Sequence, residues 1–337
     1  MSAPDCQLLF GDVSDQLHRL PDQSIQCIVT SPPYWRQRTY TTDARELGRE
    51  ANWSEYIERL VGIFRDVKRV LRPDGTVFLN LGDTMVQKQA LLIPSRVALA
   101  LQADGWYLRQ QCIWAKAVSF NPKFSGSVKP EPVRDRFVRS HEDVFLLTQS
   151  PRYFFDPFAI EEVSETGKHR ARDVWSIPTK PYRGAHVATF PVKLADICLR
   201  AGTSAHGACS GCGTAWKRVR TLTDANRTHQ KACGATTPEG GYDGRDLKQY
   251  DGTGAQTPGT LKSRILRGLR NFEDVWQPSC RCLGTTVVPQ RVLDPFGGSG
   301  TTAEAAAKLG LSCTLIELNP QNASLIQTRL DSVARLF

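Results

Sequence analysis

Apolar residues along the chain gather in short runs, separated by polar loops and by stretches of helical period. Leu8-Leu9-Phe10 reads as a strand that stops at Gly11-Asp12, with a helix from Ser14 to about Leu20 after it. Ile25-Gln26-Cys27-Ile28-Val29 is short, apolar and rich in β-branched residues, which predicts a buried strand ending at Thr30-Ser31-Pro32-Pro33-Tyr34-Trp35. Trp53, Tyr56, Ile57, Leu60, Phe64, Val67 and Leu71 recur at helical spacing, so a helix begins near Asn52. Arg72-Pro73-Asp74-Gly75 reads as a turn into a strand from Thr76 to Leu79. A helix from Pro94 to Gln102, a strand from Tyr107 to Trp114 and a strand opened by His141-Glu142 follow. Near the end, Val292-Leu293 feeds a glycine loop, a helix carried by Ala303, Ala305, Ala306, Ala307 and Leu309, and a strand from Cys313 to Ile316. Either Thr301 or Thr302 is placed to cap that helix.

Strands alternating with helices predict an α/β fold. The terminal unit, Arg291 to Leu336, offers two strands and two helices, too little for a core of its own. It must therefore complete a sheet with the strands of residues 8–148, so that both ends of the chain meet in one doubly wound sheet. Ligands in such sheets sit outside the carboxyl ends of the strands. Ser31, the glycine loop and Glu317 should then share one edge.

The residue types at that edge suit transfer of a group to an exocyclic amine of a nucleobase. The amine lone pair is delocalised into the ring, so a catalyst must accept hydrogen bonds from the amine and make its nitrogen more tetrahedral. Ser31 offers a hydroxyl acceptor, a residue before proline is held extended, and Tyr34 gives a flat face for a base that has left its helix. A proline-rich turn with two core aromatics is the alternative for these residues taken alone. In the second stretch, Asp294-Pro295-Phe296-Gly297-Gly298-Ser299-Gly300-Thr301-Thr302, glycines allow close backbone approach to a ligand. Glu317 lies 23 residues beyond Asp294 (317 − 294), where an acid can take the ribose hydroxyls of a nucleoside cofactor.

Together the two stretches resemble the signatures of the amino-methylating DNA methyltransferases, with the motif order, catalytic tetrapeptide first and cofactor loop last, of their beta group. The resemblance covers most of the chain except a long insertion after residue 202. It implies a Rossmann-like methyltransferase sheet with permuted motif order, S-adenosylmethionine as cofactor, duplex DNA with base flipping as substrate, and a cognate restriction endonuclease as a candidate partner. It assigns Ser31, Pro32, Pro33 and Tyr34 to catalysis, and Asp294, Pro295, Phe296, Gly298, Gly300, Thr301 and Glu317 to the cofactor. Asp12 would lie near the cofactor, a turn aspartate being the alternative; Phe190, before Pro191 at a helix start that Gly202 ends, would wall its pocket or simply pack in the core. Ser-Pro-Pro-Tyr leans toward cytosine N4, with adenine N6 as the runner-up. A cysteine nucleophile for cytosine C5 would come from a Pro-Cys dipeptide, which the chain lacks. An NAD-dependent oxidoreductase would leave Ser31 to Tyr34 without purpose; a zinc-bearing DNA-binding protein without catalysis is the remote alternative, in which replacing Tyr34 by alanine would leave every activity intact.

The composition fits such a protein. The 337 residues are 40% hydrophobic, enough for one large domain with an appendage, and 43 Lys and Arg against 34 acids give +9. Basic charge suits a polyanionic partner. Residues 116–139 hold six Lys or Arg (Lys116, Lys123, Lys129, Arg134, Arg136, Arg139) against two acids, interleaved with Phe120, Phe124 and Phe137, and read with Trp35 as DNA-facing. The polar stretch 36–49 reads as a mobile loop beside the site, and His141 as a structural hydrogen-bonding group in preference to a base. Residues 1–156 then form the catalytic half, 157–185 a basic target-recognition segment, 186–202 with 286–337 the cofactor half, and 203–285 the insertion. No apolar run spans a bilayer and no signal sequence opens the chain, which places the protein in the cytoplasm of a bacterial or phage-infected cell, with its DNA. The ten cysteines are then thiols or metal ligands. Cys209-x-x-Cys212 and Cys280-x-Cys282 suit a structural, zinc-ribbon-like four-cysteine site at the foot of an insertion whose glycine-rich middle is flexible, with His206, His229 and Cys233 as substitutes.

Overall fold

The computed structural model of the protein describes residues 4–117, 133–164, 167–179, 189–222 and 272–334. Lys123, Lys129, Phe120, Phe124, His229, Cys233 and the middle of the insertion lie outside them.

Eight strands form one sheet: β1 (Cys6–Phe10), β2 (Ile25–Thr30), β3 (Leu71–Leu81), β4 (Tyr107–Ala115), β5 (His141–Thr148), β6 (Val174–Ser176), β7 (Arg291–Asp294) and β8 (Ser312–Glu317). Their order is β1-β8-β7-β2-β3-β5-β4-β6. The first five neighbours run parallel, and β5 is antiparallel to both β3 and β4. The carboxyl-terminal strands β7 and β8 thus lie between β1 and β2, as their inability to form a core alone requires. Val292 and Leu293 register with Cys27 and Ile28, and Phe10 with Glu317.

Helices cover both faces. On one, α1 (Val13–His18), α2 (Trp53–Val70) and α3 (Ile93–Ala103) bury Leu17, Tyr56, Phe64, Val97 and Leu101 against the sheet. On the other, α4 (Val192–Gly202), α5 (Thr301–Lys308) and α6 (Ala323–Ala334) bury Leu194, Cys198, Ala303, Ala306 and Ile326. The sheet is therefore doubly wound. No helix among the described residues is long and apolar enough to cross a membrane.

Local chemistry sets the helix starts. Asn52 caps α2 by accepting from the amide of Glu55, and Asp12 caps α1 by accepting from Ser14 at 3.0 Å. At α5 the cap differs from expectation: neither threonine caps it, and Gly300, at φ +80°, is the residue before the first turn. A Cβ there would stand 3.1 Å from Ile326, so the position serves both the left-handed turn and the approach of α6. The Arg72–Gly75 turn sits inside one long strand, because β2 pairs with Leu71 and resumes at Thr76, leaving the turn as an irregularity between. The 157–185 segment contributes the sheet's last strand, with Trp175 paired to Trp114. The insertion adds a two-stranded ribbon, Lys217–Leu222 against Phe272–Gln277, that hydrophobic patterning did not announce.

Candidate active site

The loops at the carboxyl ends of β1, β2, β7 and β8 enclose a cavity of about 480 Å³, a size ordinary for small-molecule sites. Its wall includes Ser31, Pro32, Pro33 and Tyr34 from the β2 corner, and Pro295, Phe296, Gly298, Thr301 and Glu317 from the β7 and β8 ends. Asp12 and Phe190 line it as well. The two stretches singled out in the sequence, more than 260 residues apart (294 − 31), thus open onto the same space.

At the β2 corner, four polar groups converge. The Tyr34 hydroxyl donates to Glu142 Oε2 at 2.8 Å and lies 3.1 Å from Ser31 Oγ. Asn80 Nδ2 is within reach of Ser31 Oγ (3.2 Å), Tyr34 Oη (2.9 Å) and Glu142 Oε2 (2.8 Å). Because the single Tyr34 proton is committed to a carboxylate, the Ser31 hydroxyl donates to Tyr34, and Ser31 Oγ, which lines the cavity, retains acceptor capacity. Burial and the Glu142 charge raise the Tyr34 pKa well above the usual phenol value, so it remains a donor. Gly82 allows this placement, since a Cβ there would lie 2.6 Å from the Tyr34 ring. Tyr56 fixes the corner from below by donating to the Pro33 carbonyl at 3.1 Å.

Glu142 and Asn80 escaped sequence reasoning, which dwelt on His141. On a strand neighbours alternate sides, so only one member of the His141-Glu142 pair could face the site. His141 is exposed and Glu142 lines the cavity. Fixing that phase required the pairing of Glu142 with Trp114, which the letters do not reveal.

At the other end, Glu317 accepts from Gly298 N (2.7 Å) and Asn319 N (2.8 Å), and burial raises its pKa. A half-buried carboxylate beside the two glycines Gly297 and Gly298, with Phe190 and Phe296 in the same wall, fits a nucleoside with its ribose on Glu317.

Several expected roles change. Asp294 does not reach the cavity: it is 1% exposed and accepts from Thr30 and Thr302 hydroxyls, both at 2.7 Å, and from Phe296 N at 3.1 Å. It ties β2, β7 and α5 together behind the pocket, and burial pushes its pKa up to about 7. Gly300 likewise acts through packing against α6. Trp35 is 3% exposed and donates its indole N–H to Glu50 O at 3.0 Å, so it anchors the following loop and does not face DNA. That loop is pinned, with Glu46 and Leu47 buried and Glu46 accepting from the Tyr40 amide. Lys116 pairs with Glu142 inside the cavity, and Arg139 is held by Asp83 at the start of α3. Arg134 and Arg136 are exposed, as is Phe137 at 97%. The four cysteines come together away from the cavity, whereas His206 lies against Trp216 and Trp276, with ring centroids 4.6 and 5.6 Å away.

Comparison with known proteins agrees with this geometry. The N6/N4 methyltransferase family model, described as DNA methylase, matches residues 25–209 and 285–328, leaving out most of the insertion. The Type II methyltransferase M.Cfr9I of Citrobacter freundii is 39% identical over 226 residues, which cover 58% of this chain and 72% of that one. Among solved structures, the PvuII DNA methyltransferase (cytosine-N4-specific) aligns with a TM-score of 0.58 at 16% identity, over 99% of this chain and 94% of that one. TTHA0409 from Thermus thermophilus, solved in complex with S-adenosyl-L-methionine, aligns with a TM-score of 0.53 at 19% identity, over 98% and 95%. The two structural likenesses speak for the fold.

Proposed function

Because the chain belongs to the N6/N4 DNA methylase family, we propose that it is a site-specific, S-adenosylmethionine-dependent methyltransferase acting on the exocyclic amine of a base flipped from duplex DNA, cytosine N4 ahead of adenine N6. The observation that carries this reading is the shared cavity, with an amine acceptor at Ser31 and a nucleoside seat at Glu317 in one wall.

S-adenosylmethionine supplies an electrophilic methyl group when bound. Glu317 would accept from its ribose hydroxyls, and Gly297 and Gly298 would leave the backbone room beside it. The flipped base stacks on Tyr34. Ser31 Oγ accepts from the target amine, because its own proton is given to Tyr34, whose proton is in turn committed to Glu142. The adjoining backbone carbonyl takes the second amine hydrogen. So drawn toward tetrahedral geometry, the nitrogen is oriented to take the methyl group that the cofactor would supply, its sulfur keeping the bonding pair, and the displaced amine proton would leave to water. The protein's part is orientation and placed dipoles. Glu142 acts through Ser31 and Tyr34, as a positioning residue.

A serine at the head of the tetrapeptide and the cytosine-N4 specificity named for the PvuII enzyme support cytosine. The acceptors would serve an adenine amine equally, which keeps N6 as the second reading. The exposure of Arg134 and Arg136 supports a role for this basic stretch against phosphates. The name of the Type II relative supports a defined target sequence and a restriction endonuclease alongside. The clustering of the insertion's four cysteines supports a structural zinc there, which would have no part in methyl transfer. Digestion of DNA incubated with enzyme and cofactor, followed by mass spectrometry of the nucleosides, tests the reading. N4-methylcytosine is expected; N6-methyladenine alone would overturn the choice of base, and no methylated nucleoside would overturn the function.

A further inference from the structure

Cys209, Cys212, Cys280 and Cys282 come from two segments far apart in the chain, yet their sulfurs all lie within 4.8 Å of one another and all four are free thiols. A tetrahedral zinc with bonds of ~2.3 Å sets its sulfurs about 3.8 Å apart, so small side-chain rotations bring all four onto one ion. Groups around them are arranged to support thiolates. The amides of Gly211 and Cys212 point at the Cys209 sulfur, and Thr285 Oγ1 and Thr214 Oγ1 lie 3.2 Å from Cys209 and Cys212. His206, enclosed by two tryptophan rings, is not needed as a ligand.

The position of the cluster says what it fastens. Cys212 O accepts from Arg72 Nη1 at 3.1 Å, and Arg72 lies at the start of the strand whose far end carries Asn80 into the cavity. Ala208 and Cys209 pair with Val288 and Val287, just ahead of β7. The cluster therefore sits at the amino edge of the sheet, opposite the active site. From it rises the Lys217–Leu222 and Phe272–Gln277 ribbon, whose arginines grip the chain beyond β5. Arg218 bonds the buried Asp156 at 2.9 Å, and Arg220 takes both oxygens of Glu161 at 2.7 and 2.9 Å. Residues 156–161 lead into the segment that supplies β6 and Thr179 on the cavity wall. A two-stranded ribbon is marginal by itself, and this one closes a segment of 49 residues (271 − 222), so it needs a staple at its foot.

Resting on the zinc reading above, we propose that one zinc ion on these four cysteines clasps the ribbon to the amino edge and, through Arg218 and Arg220, holds residues 156–161, the root of the target-recognition segment. The donor pocket is independent of this clasp.

The test uses the full-length protein. Metal analysis should give one zinc per chain, and protein grown on cobalt should show a thiolate-to-cobalt charge-transfer band; both should vanish in the Cys280→Ser, Cys282→Ser double variant. Amide hydrogen exchange in that variant should speed up by about 10-fold or more at 217–222, 272–277 and 156–161, while binding of labelled S-adenosylmethionine stays within about 3-fold. If the variant does not fold, the same exchange comparison is made on wild-type protein before and after zinc is stripped by a chelator. Absence of stoichiometric zinc overturns the site, and unchanged exchange at 156–161 after metal loss overturns the clasp. Loss of cofactor binding in a folded, metal-free protein also overturns it. Wild-type protein that holds zinc but never binds S-adenosylmethionine would count against the methyltransferase reading alone.

Discussion

At the carboxyl edge of the sheet, the loops after β2, β7 and β8 turn polar groups toward open space. At the amino edge, comparable groups use one another. Gln290 accepts from Ser204 N at 2.6 Å and donates to Gln26 Oε1 at 3.0 Å, all three being buried, and Arg72 closes on the carbonyl of Cys212. The same parallel strands thus carry a reactive end, where Ser31 keeps a lone pair in reserve, and a sealed end, where every strong donor named here has a protein acceptor. A polar group at a strand end informs on function only when its valences are not already filled by its neighbours.

Substitutions can break this contrast. The largest effect should follow Ser31→Ala, which removes the amine acceptor: methylation should fall by about 100-fold or more while cofactor affinity holds. Equal losses of both would show that Ser31 merely shapes the pocket. Glu317→Ala should weaken cofactor binding by about 10- to 100-fold, as expected for charged hydrogen bonds, with the rate at saturating cofactor largely kept. Titration calorimetry with S-adenosylmethionine reads this directly, and unchanged affinity would remove Glu317 from the donor seat. At the sealed edge Gln290→Ala should behave in the reverse way, costing about 1–3 kcal/mol of stability in urea while a folded sample keeps its methylation rate.

A different kind of effect, read in pH dependence, concerns Asp294. Its folded pKa of about 7 lies above the ordinary carboxyl value, so the folded chain holds a proton that the unfolded chain has released. Stability from this group is complete below about pH 4, falls as pH rises toward 7, and is level above. Asp294→Asn should flatten that slope when urea midpoints at about pH 5 and about pH 8 are compared. A variant with the wild-type slope would show that the carboxylate is not what burial makes it.

Much of this was legible in the letters, for physical reasons. The β2 corner and the glycine loop each pair a buried apolar run with residues that only a strand end tolerates. The shortage of core in the last fifty residues or so required the two ends to share a sheet. What stayed hidden depended on register. Glu142 and His141 are adjacent, and only the pairing of β5 with β4 decides which faces inward. Asp294 looked like a ligand because nothing local announces that Thr30 and Thr302 arrive to bond it. Trp35 and Lys116 have the composition of DNA contacts, yet Glu50 and Glu142, placed by other elements, draw them inward. The insertion's ribbon has its two strands 49 residues apart (271 − 222), beyond the reach of any local pattern.

The most direct test of the shared cavity is a crystal structure of the protein with S-adenosylmethionine bound. The account predicts ribose hydroxyls on Glu317 and the sulfonium methyl directed into the space beside Ser31 and Tyr34 that the target amine would occupy. A cofactor bound with its methyl turned away from that corner, or seated elsewhere on the molecule, would contradict it.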